Sequence, residues 1–225
     1  MSISTTPPPA PPKKRGLGCF GCGCLILALL VILFLALVAG SCYFGYQKVV
    51  GVTSTTPAAV PSFDGGDDVY NTAQQKVRAF GHDVENHQAA TIELSADEIN
   101  TLIARNPNLI QPPPHLFVTL VDDRAQVQGS IPTDALTQGF LKGRYVNFDA
   151  TFSLGFNSDT KGLDLTLHHL QIGDQTPPQN LLPMLQAEFT PLLNMELQQY
   201  PPTKDLLQQA KSITIQNGQL VIETQ

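Results

Sequence analysis

The segment Tyr145–Phe156 reads YVNFDATFSLGF, and apolar and polar side chains alternate along its length. Because successive side chains of a strand point to opposite faces, this alternation predicts an antiparallel strand with one face in the core and one in solvent. The polar face carries Asn147, Asp149, Thr151 and Ser153. The apolar face consists of Val146, Phe148, Ala150, Phe152, Leu154 and Phe156.

Turn signals predict hairpins on both sides of this strand. Asp122-Asp123-Arg124 separates His115–Val121 from Ala125–Ile131, and Asn217-Gly218 divides a later apolar run in the manner of a type I′ turn. With a short strand at Thr91–Leu94, the pattern predicts about six strands in total.

The strand that follows Tyr145–Phe156 contains an irregularity. Its first apolar positions are Leu163, Leu165 and Leu167, and its last are Leu170 and Ile172. A shift of one residue turns the side chains to the other face of a sheet, so we predict a β-bulge near His168-His169.

Two helices are predicted in the first half of the domain. Val69–His87 has apolar residues at three- and four-residue spacing, which is typical of a helix with one buried face. Ser95 and Glu98 match a capping box, in which each side chain satisfies a free backbone N–H at the start of a helix. That second helix should end near Asn106-Pro107.

Two further helices are predicted near the C-terminus. Asn180–Gln199 is amphipathic, and Pro191 is expected to kink or split it because proline lacks a backbone donor. Thr203 is expected to cap a last short helix. The predicted fold class is therefore α+β, with a curved antiparallel sheet of about six strands packed against helices.

The N-terminal part contains an apolar run that is typical of a transmembrane helix. Gly16–Gln47 holds 32 residues without a charge, and Leu25–Ala39 (LILALLVILFLALVA) is apolar at every position. Since a bilayer core requires about 20 apolar residues in a helix, we predict one transmembrane segment at 16–47 with its core at 24–44. The alternative is a lipoprotein modified at Cys42, because Ala39-Gly40-Ser41-Cys42 loosely resembles a lipobox.

Charge predicts the orientation of this segment. Lys13-Lys14-Arg15 precedes the apolar run, and all 19 Asp and Glu residues follow it. Because cationic flanks are retained on the cytoplasmic side, the N-terminus is predicted to be cytoplasmic and the C-terminal part extracytoplasmic. The predicted organisation is a disordered Pro-rich tail at 1–15, the membrane segment, a stalk linker at 48–63 and an α+β domain at 64–225.

The four cysteines, Cys19, Cys22, Cys24 and Cys42, all lie in or beside the apolar run. Zinc is bound by four ligands in tetrahedral geometry, and the first three cysteines have no fourth partner nearby, so we predict no metal and no cofactor. Juxtamembrane cysteines can also be acylated, which the sequence leaves open. Because the domain lacks cysteine, its stability must come from its core without disulfides.

Signatures of catalysis and of nucleic-acid binding are missing from the predicted domain. The sequence has no Gly-rich phosphate loop, nucleophile elbow or His-Glu-x-x-His motif. Asp122-Asp123 fits a solvated turn better than a cation site, and His168 and His169 can share a face only if the strand bulges. The acidic balance argues against nucleic acid, whose binding depends on clustered Lys and Arg. The chain is therefore predicted not to be an enzyme.

Three motifs carry a resemblance to a known class: LSADEIN at Leu94–Asn100, GRYVNFDATFSL at Gly143–Leu154 and ITIQNGQLVIE at Ile213–Glu223. With the order of helices and strands, they resemble bacterial membrane-anchored exported proteins of tubular lipid-binding-like architecture. In that class a curled sheet wraps a long helix, and the groove between them accepts acyl chains. The resemblance implies a groove lined by Val146, Phe148, Phe152, Leu154, Phe156, Leu185, Phe189 and Leu193. The alternative is that these eight residues form a closed core.

The leading hypothesis is a single-pass envelope protein whose outer domain binds a lipid or a lipid-linked molecule without catalysis. The alternative is a protein-interaction or scaffold subunit of an envelope complex, and the third is a hydrolase without a known motif. An apolar cavity of about 300 Å³ or more would favour the first, whereas an exposed apolar patch would favour the second. If the groove exists, Phe152→Glu is expected to abolish lipid binding and leave the domain folded.

Overall fold

A computed structural model describes residues 53–105, 115–135 and 142–225. The predicted tail, the membrane segment and the first part of the stalk lie outside these residues. Within them, no helix combines the length and the hydropathy that a membrane crossing requires. The elements in chain order are α1 (Gly66–Glu85), β1 (Thr91–Ser95), α2 (Ala96–Ala104), β2 (His115–Val121), β3 (Arg124–Pro132), β4 (Tyr145–Asn157), β5 (Gly162–Ile172), α3 (Leu182–Gln199), α4 (Pro201–Gln209), β6 (Ala210–Gln216) and β7 (Gln219–Thr224), with single 3-10 turns at Thr133–Ala135 and Gln179–Leu181.

The strands form two antiparallel sheets. One has four strands in the order β2-β3-β4-β5, and the other has three in the order β1-β7-β6. The α+β class with antiparallel pairing is confirmed, but the seven described strands are divided between two sheets, where we predicted about six in one curved sheet. The alternating pattern identifies each strand. It does not identify the partner of β1, which pairs with β7 across more than a hundred residues.

The inner faces of the two sheets meet in one core. β4 is the strand that contacts the other sheet most extensively, through β6. Its burial alternates from Tyr145 to Leu154, with every apolar side chain buried and every polar one half-buried. The two-faced strand that the YVNFDATFSLGF pattern predicted is therefore confirmed. In the structure this strand lies at the centre of the core.

The predicted bulge is present in β5. Thr151 lies opposite His169, whereas the next residue of β4, Phe152, lies opposite Leu167. His168 is thus the extra residue, and its Nε2 is 2.7 Å from Ser153 Oγ on the polar face of the sheet. The insertion allows the apolar side chains on both sides of it to face the core, as the change of phase in the sequence requires.

The helix caps confirm one prediction and contradict another. Ser95 Oγ accepts a hydrogen bond from the Glu98 N–H at 3.2 Å, and Glu98 Oε2 accepts one from the Ser95 N–H at 2.9 Å, which completes the capping box. The prediction that Thr203 caps α4 was wrong: Tyr200 precedes the helix, and Thr203 is its third residue. Two prolines at the start of α4 remove donors that a cap would otherwise satisfy.

Pro191 does not split the third helix, which continues from Leu182 to Gln199. The proline lies on the exposed face, and the missing N–H leaves the carbonyl of Ala187, an exposed residue one turn earlier, without its helical donor. Water can satisfy a carbonyl on that face, so one proline is tolerated there.

At each edge of the four-stranded sheet, the side chain of a helical asparagine forms hydrogen bonds with the backbone of the edge strand. The side-chain amide of Asn100 in α2 donates to the Val118 carbonyl at 2.7 Å and accepts from the Val118 N–H at 2.8 Å. At the opposite edge, Asn194 in α3 makes the same pair of bonds with Leu163 at 2.8 and 2.7 Å. Each amide imitates one residue of a further strand, and so it satisfies edge groups that could pair with another chain.

The described part of the predicted stalk is attached to the domain. Ser54 and Tyr145 exchange two backbone hydrogen bonds at 2.8 Å each, and Arg144 donates to the hydroxyl and the carbonyl oxygen of Thr53 at 2.6 and 2.7 Å. Further along, Asn147 Oδ1 accepts from the Ala58 N–H at 2.9 Å. The chain is thus fixed to the start of β4 from Thr53 onward, eleven residues before the predicted domain boundary at 64.

An ion-pair cluster fixes the entry to α1. The guanidinium of Arg105, which follows α2, donates to both carboxylate oxygens of Asp64 at 2.9 and 3.0 Å and to Asp67 at 2.6 Å. These hydrogen bonds from Arg105, and one from the Gly66 N–H, hold the pKa of Asp64 below its ordinary value. The cluster joins the start of α1 to the end of α2, and it is exposed to solvent.

Candidate ligand site between the sheets

The eight predicted groove residues all belong to the apolar core. Phe156 is partly buried, and the other seven are buried. Five lie on the inner side of β4, whereas Leu185, Phe189 and Leu193 lie on the face of α3 that packs against β5. These eight residues, predicted to line a groove or else to form a closed core, all pack in the core, and a groove would require that they also line open space.

An apolar cavity of about 40 Å³ lies between the two sheets. It is lined by both sheets and by helices α2 and α4. Only Phe152 and Leu154 of the eight predicted residues line it. The full lining comprises Ile99, Val118, Leu120, Ala125, Phe152, Leu154, Thr203, Leu206, Leu207, Ile213, Ile215, Leu220 and Ile222.

The remaining predicted residues do not line this cavity. The ring of Phe148, for example, lies over Gly129 on the neighbouring strand, where a Cβ atom would collide with it and with Leu116. Only glycine fits at position 129, because the aromatic ring of Phe148 packs directly on its backbone. Phe148 therefore occupies the space that an open groove would need. The structure brings two of the eight residues to the cavity and places the other six elsewhere in the core.

Thr203 is the residue that sequence reasoning assigned to the wrong role. Its side chain is 1% exposed and lines the cavity, and its hydroxyl oxygen has no hydrogen-bond partner among the described residues. The signal that could have found it is the spacing of Thr203, Leu206 and Leu207, which places all three on one face of a helix. The preceding prolines made the threonine resemble a cap.

The lining determines what chemistry this cavity can support. It contains no acid, base, thiol or amide, and its accessible surface is apolar throughout, because the hydroxyl oxygen of Thr203 is buried away from the open space. Acid–base and nucleophilic catalysis both require a base within hydrogen-bond reach of the reacting group. The cavity can therefore hold an apolar group, and it presents no catalytic pair.

Polar side chains on the opposite face of the four-stranded sheet are hydrogen-bonded to one another. Asp149 accepts hydrogen bonds from Gln126 and Gln128 at 2.8 to 2.9 Å, so its carboxylate is already occupied. The Asp122 carbonyl accepts from the Gly218 N–H at 3.2 Å, which joins the two hairpin turns. In the described parts of the chain, no three His, Cys, Asp or Glu side chains are grouped so as to hold a metal ion.

A second apolar surface lies on the outer face of α3. Met184, Leu192 and Met195 are 40, 41 and 55% exposed, on the side opposite the buried leucines. The charged residues of α3 are Glu188 and Glu196, both exposed and four residues on either side of Leu192, and α3 contains no Lys or Arg. A helix that is apolar on two sides is unusual at a protein surface, because one apolar face is enough to pack on a sheet.

Comparisons with known proteins give no relative from which a function could be taken. No protein-family model matches the chain, and neither a curated protein nor a solved structure matches it. Function must therefore be inferred from the cavity, the surfaces and the N-terminal segment.

Proposed function

We propose that this chain is a single-pass membrane protein whose extracytoplasmic domain binds a lipid or a lipid-linked molecule without catalysing a reaction. The observation that carries the proposal is the inter-sheet cavity, whose accessible lining is entirely apolar. An apolar lining favours a hydrocarbon chain, since burial of apolar surface contributes about 25 cal/mol per Å². The uncharged run at 16–47 supplies the proposed anchor, and the basic tail before it supports the orientation.

The cavity is too small to accept an acyl chain in the conformation that the structure describes. Sites for drug-sized ligands usually measure roughly 300 to 1,000 Å³, whereas this cavity measures about 40 Å³. An acyl chain therefore requires that one wall move outward. Helix α4 is the wall best suited to this, because it is nine residues long, starts at Pro201-Pro202 and packs mainly against α3.

The proposal is tested with the full chain in vesicles that contain a phospholipid with a diazirine at mid-chain. After illumination and digestion, we expect labelled peptides from residues 16–47 and also from β4 around Phe152 and from α4. Labelling within the domain should follow the cavity lining because the diazirine reacts with side chains that touch the acyl chain. Mass spectrometry of the peptides measures both sites in the same sample.

Leu154→Trp provides the matched variant for that experiment. The larger side chain should fill the cavity, since Leu154 lines it and is 9% exposed, and it should lower labelling of α4 at least fivefold. Labelling of 16–47 in the same sample serves as the internal control. Labels restricted to 16–47 in the unmodified chain would contradict lipid binding by the domain.

The second candidate function is a protein-interaction or scaffold role, and the outer face of α3 favours it. Its exposed methionines are flexible apolar side chains of the kind common at binding surfaces. Glu188 and Glu196 flank the exposed Leu192, so the matching partner is a protein with an apolar strip bordered by Lys or Arg. Anionic membrane lipids would repel the same glutamates.

A photo-reactive phenylalanine analogue at Met195 tests this second role in the native membrane. We expect one crosslinked species of defined mass, and we expect it to weaken several-fold when Glu188→Lys and Glu196→Lys are introduced together, because the charge match is lost. The same analogue at Gln208, an exposed position on α4, is the control. Equal crosslinking at both positions, or no effect of the charge reversal, would contradict a specific partner.

A further inference from the structure

A second pocket lies at the turn of the β2–β3 hairpin, and we call it the hairpin pocket. It measures about 420 Å³, against about 40 Å³ for the inter-sheet cavity. This volume is within the range of roughly 300 to 1,000 Å³ that is usual for ligand sites. The lining comprises Val121, Asp122, Asp123, Arg124, Gln126 and Thr151.

The hairpin pocket lies on the outer face of the four-stranded sheet. The inner positions of these strands include Ala125 and Phe152, which are buried and line the inter-sheet cavity. Because side chains alternate along a strand, Arg124, Gln126 and Thr151 are on the other face. Gln126 lies directly opposite Thr151 in the β3–β4 register. The two sites are therefore separated by the sheet itself.

The turn that contributes the two aspartates is held in place by the neighbouring hairpin. Asp122 has a φ of 54°, a conformation that aspartate adopts more readily than most residues. Its carbonyl accepts a hydrogen bond from the Gly218 N–H at 3.2 Å. The backbone that carries the carboxylates of Asp122 and Asp123 is thus fixed before a ligand binds.

The pocket offers both donors and acceptors to a ligand. The guanidinium Nε of Arg124 is 3.7 Å from Asp123 Oδ1, which is too long for a hydrogen bond. The amide nitrogen of Gln126 donates to the carboxylate of Asp149 at 2.9 and 2.8 Å, so its carbonyl oxygen remains as an acceptor. The hydroxyl of Thr151 can donate and accept.

We propose that the hairpin pocket binds an uncharged sugar, a function separate from the proposed binding of lipid. Each sugar hydroxyl both donates and accepts, so a sugar matches guanidinium, carboxylate, amide and hydroxyl groups at once. Val121 is 58% exposed and offers an apolar surface to the C–H groups of the ring.

The charges of the pocket favour an uncharged ligand. The two carboxylates oppose an anion, and the guanidinium of Arg124 opposes a cation. Arg124 and Asp123 lie close enough to offset each other's charge. The charge of Asp122 is left over, but Asp122 is exposed, so water and salt screen it.

The test uses the full chain in lipid nanodiscs and three neutral probes: maltotriose, cellotriose and tri-N-acetylchitotriose. Saturation-transfer NMR measures their binding, with nanodiscs that lack the protein as the blank. We expect at least one probe to bind with a Kd on the order of 1 mM, since hydrogen bonds in an open site gain little over those to water.

Thr151→Phe is the variant that fills the pocket, and it should weaken sugar binding at least tenfold. Thr166→Phe is the matched control, because it makes the same change at an exposed position opposite Ser153, outside the pocket lining. This control should bind like the unmodified chain. If Thr151→Phe does not fold, Asp123→Ala in the exposed turn replaces it and should weaken binding at least threefold.

Arg124→Gln tests whether the pocket recognises hydroxyls or charge. It removes the charge and keeps an N–H donor, so sugar binding should weaken no more than about threefold. Phosphocholine is the charged comparator. The proposal is overturned if none of the three sugars binds, if their binding survives the pocket variants, or if phosphocholine binds more tightly than the sugars and is lost in Arg124→Gln. Because the inter-sheet cavity lies across the sheet, these outcomes leave the proposed lipid binding unaffected.

Discussion

Phe152→Glu should unfold the domain, contrary to our expectation from the sequence that it would only block a groove. Phe152 is 2% exposed and lies at the centre of β4, where it lines the inter-sheet cavity. Removal of a buried phenylalanine side chain costs about 3 to 5 kcal/mol, and an unpaired carboxylate in the same place adds to that cost. Because domains are stable by only about 5 to 15 kcal/mol, most of the stability should be lost.

Pulse proteolysis of the full chain in nanodiscs over a urea series measures this effect. Thr151→Glu is the matched control, since it places the same carboxylate one residue away on the half-buried polar face of the strand. We expect the control to stay within about 1 kcal/mol of the unmodified chain, as is usual for changes outside the core. A folded Phe152→Glu variant would mean that the cavity admits water and that the open groove of the sequence hypothesis exists.

Asn100→Ala should be the most costly change of a polar residue in the domain. Asn100 is 3% exposed, and its amide makes both bonds to the Val118 backbone at the edge of β2. The alanine variant leaves a buried N–H and a buried carbonyl without partners, each at about 1 to 3 kcal/mol. We expect a loss of about 3 kcal/mol in the free energy of unfolding, measured by urea denaturation.

Asn194→Ala provides the comparison at the opposite edge. It removes the same pair of bonds, here to Leu163, but the site is only partly buried, so water can replace part of what is lost. We therefore expect a loss of about 1 kcal/mol. Equal losses in the two variants would contradict this expectation, because they would mean that the number of hydrogen bonds, and not the burial of the site, determines the loss in the free energy of unfolding.

Local sequence patterns predicted the parts of the fold that depend on neighbours along the chain. The alternation in Tyr145–Phe156 gave the faces of β4, and the change of phase after Leu167 gave the bulge at His168. Ser95 and Glu98 gave the capping box, because both partners lie within one helical turn. In each case the interacting residues are close in sequence, so their spacing contains the structural information.

The division into two sheets could not be predicted in the same way. The pairing of β1 with β7 joins Thr91 to Glu223, and alternation is the same whichever strand lies alongside. The cavity could not be predicted for the same reason, because the residues that line it come from elements far apart in the sequence. Examples are Ile99, Phe152, Leu206 and Ile222. Apolar patterning shows that a residue is buried. It does not show whether its neighbours fill the space completely.

Thr203 shows a further limit. A threonine after two prolines matches the start of a helix, and only the packing of α4 over the sheets shows that the side chain of Thr203 is buried in the core. The local pattern alone therefore does not separate a capping threonine from a threonine that packs in the core.

The attachment of Thr53 to the start of β4 determines how far the domain can reach. If the membrane segment ends near residue 44, the eight residues 45–52 extend over at most about 30 Å. Leu154, at the cavity, is nine residues beyond Tyr145, or about 30 Å further along the strand. Under the proposed membrane anchor, the cavity therefore lies about 30 Å along β4 from the point at which the chain joins the domain, and at most about 60 Å from the bilayer surface.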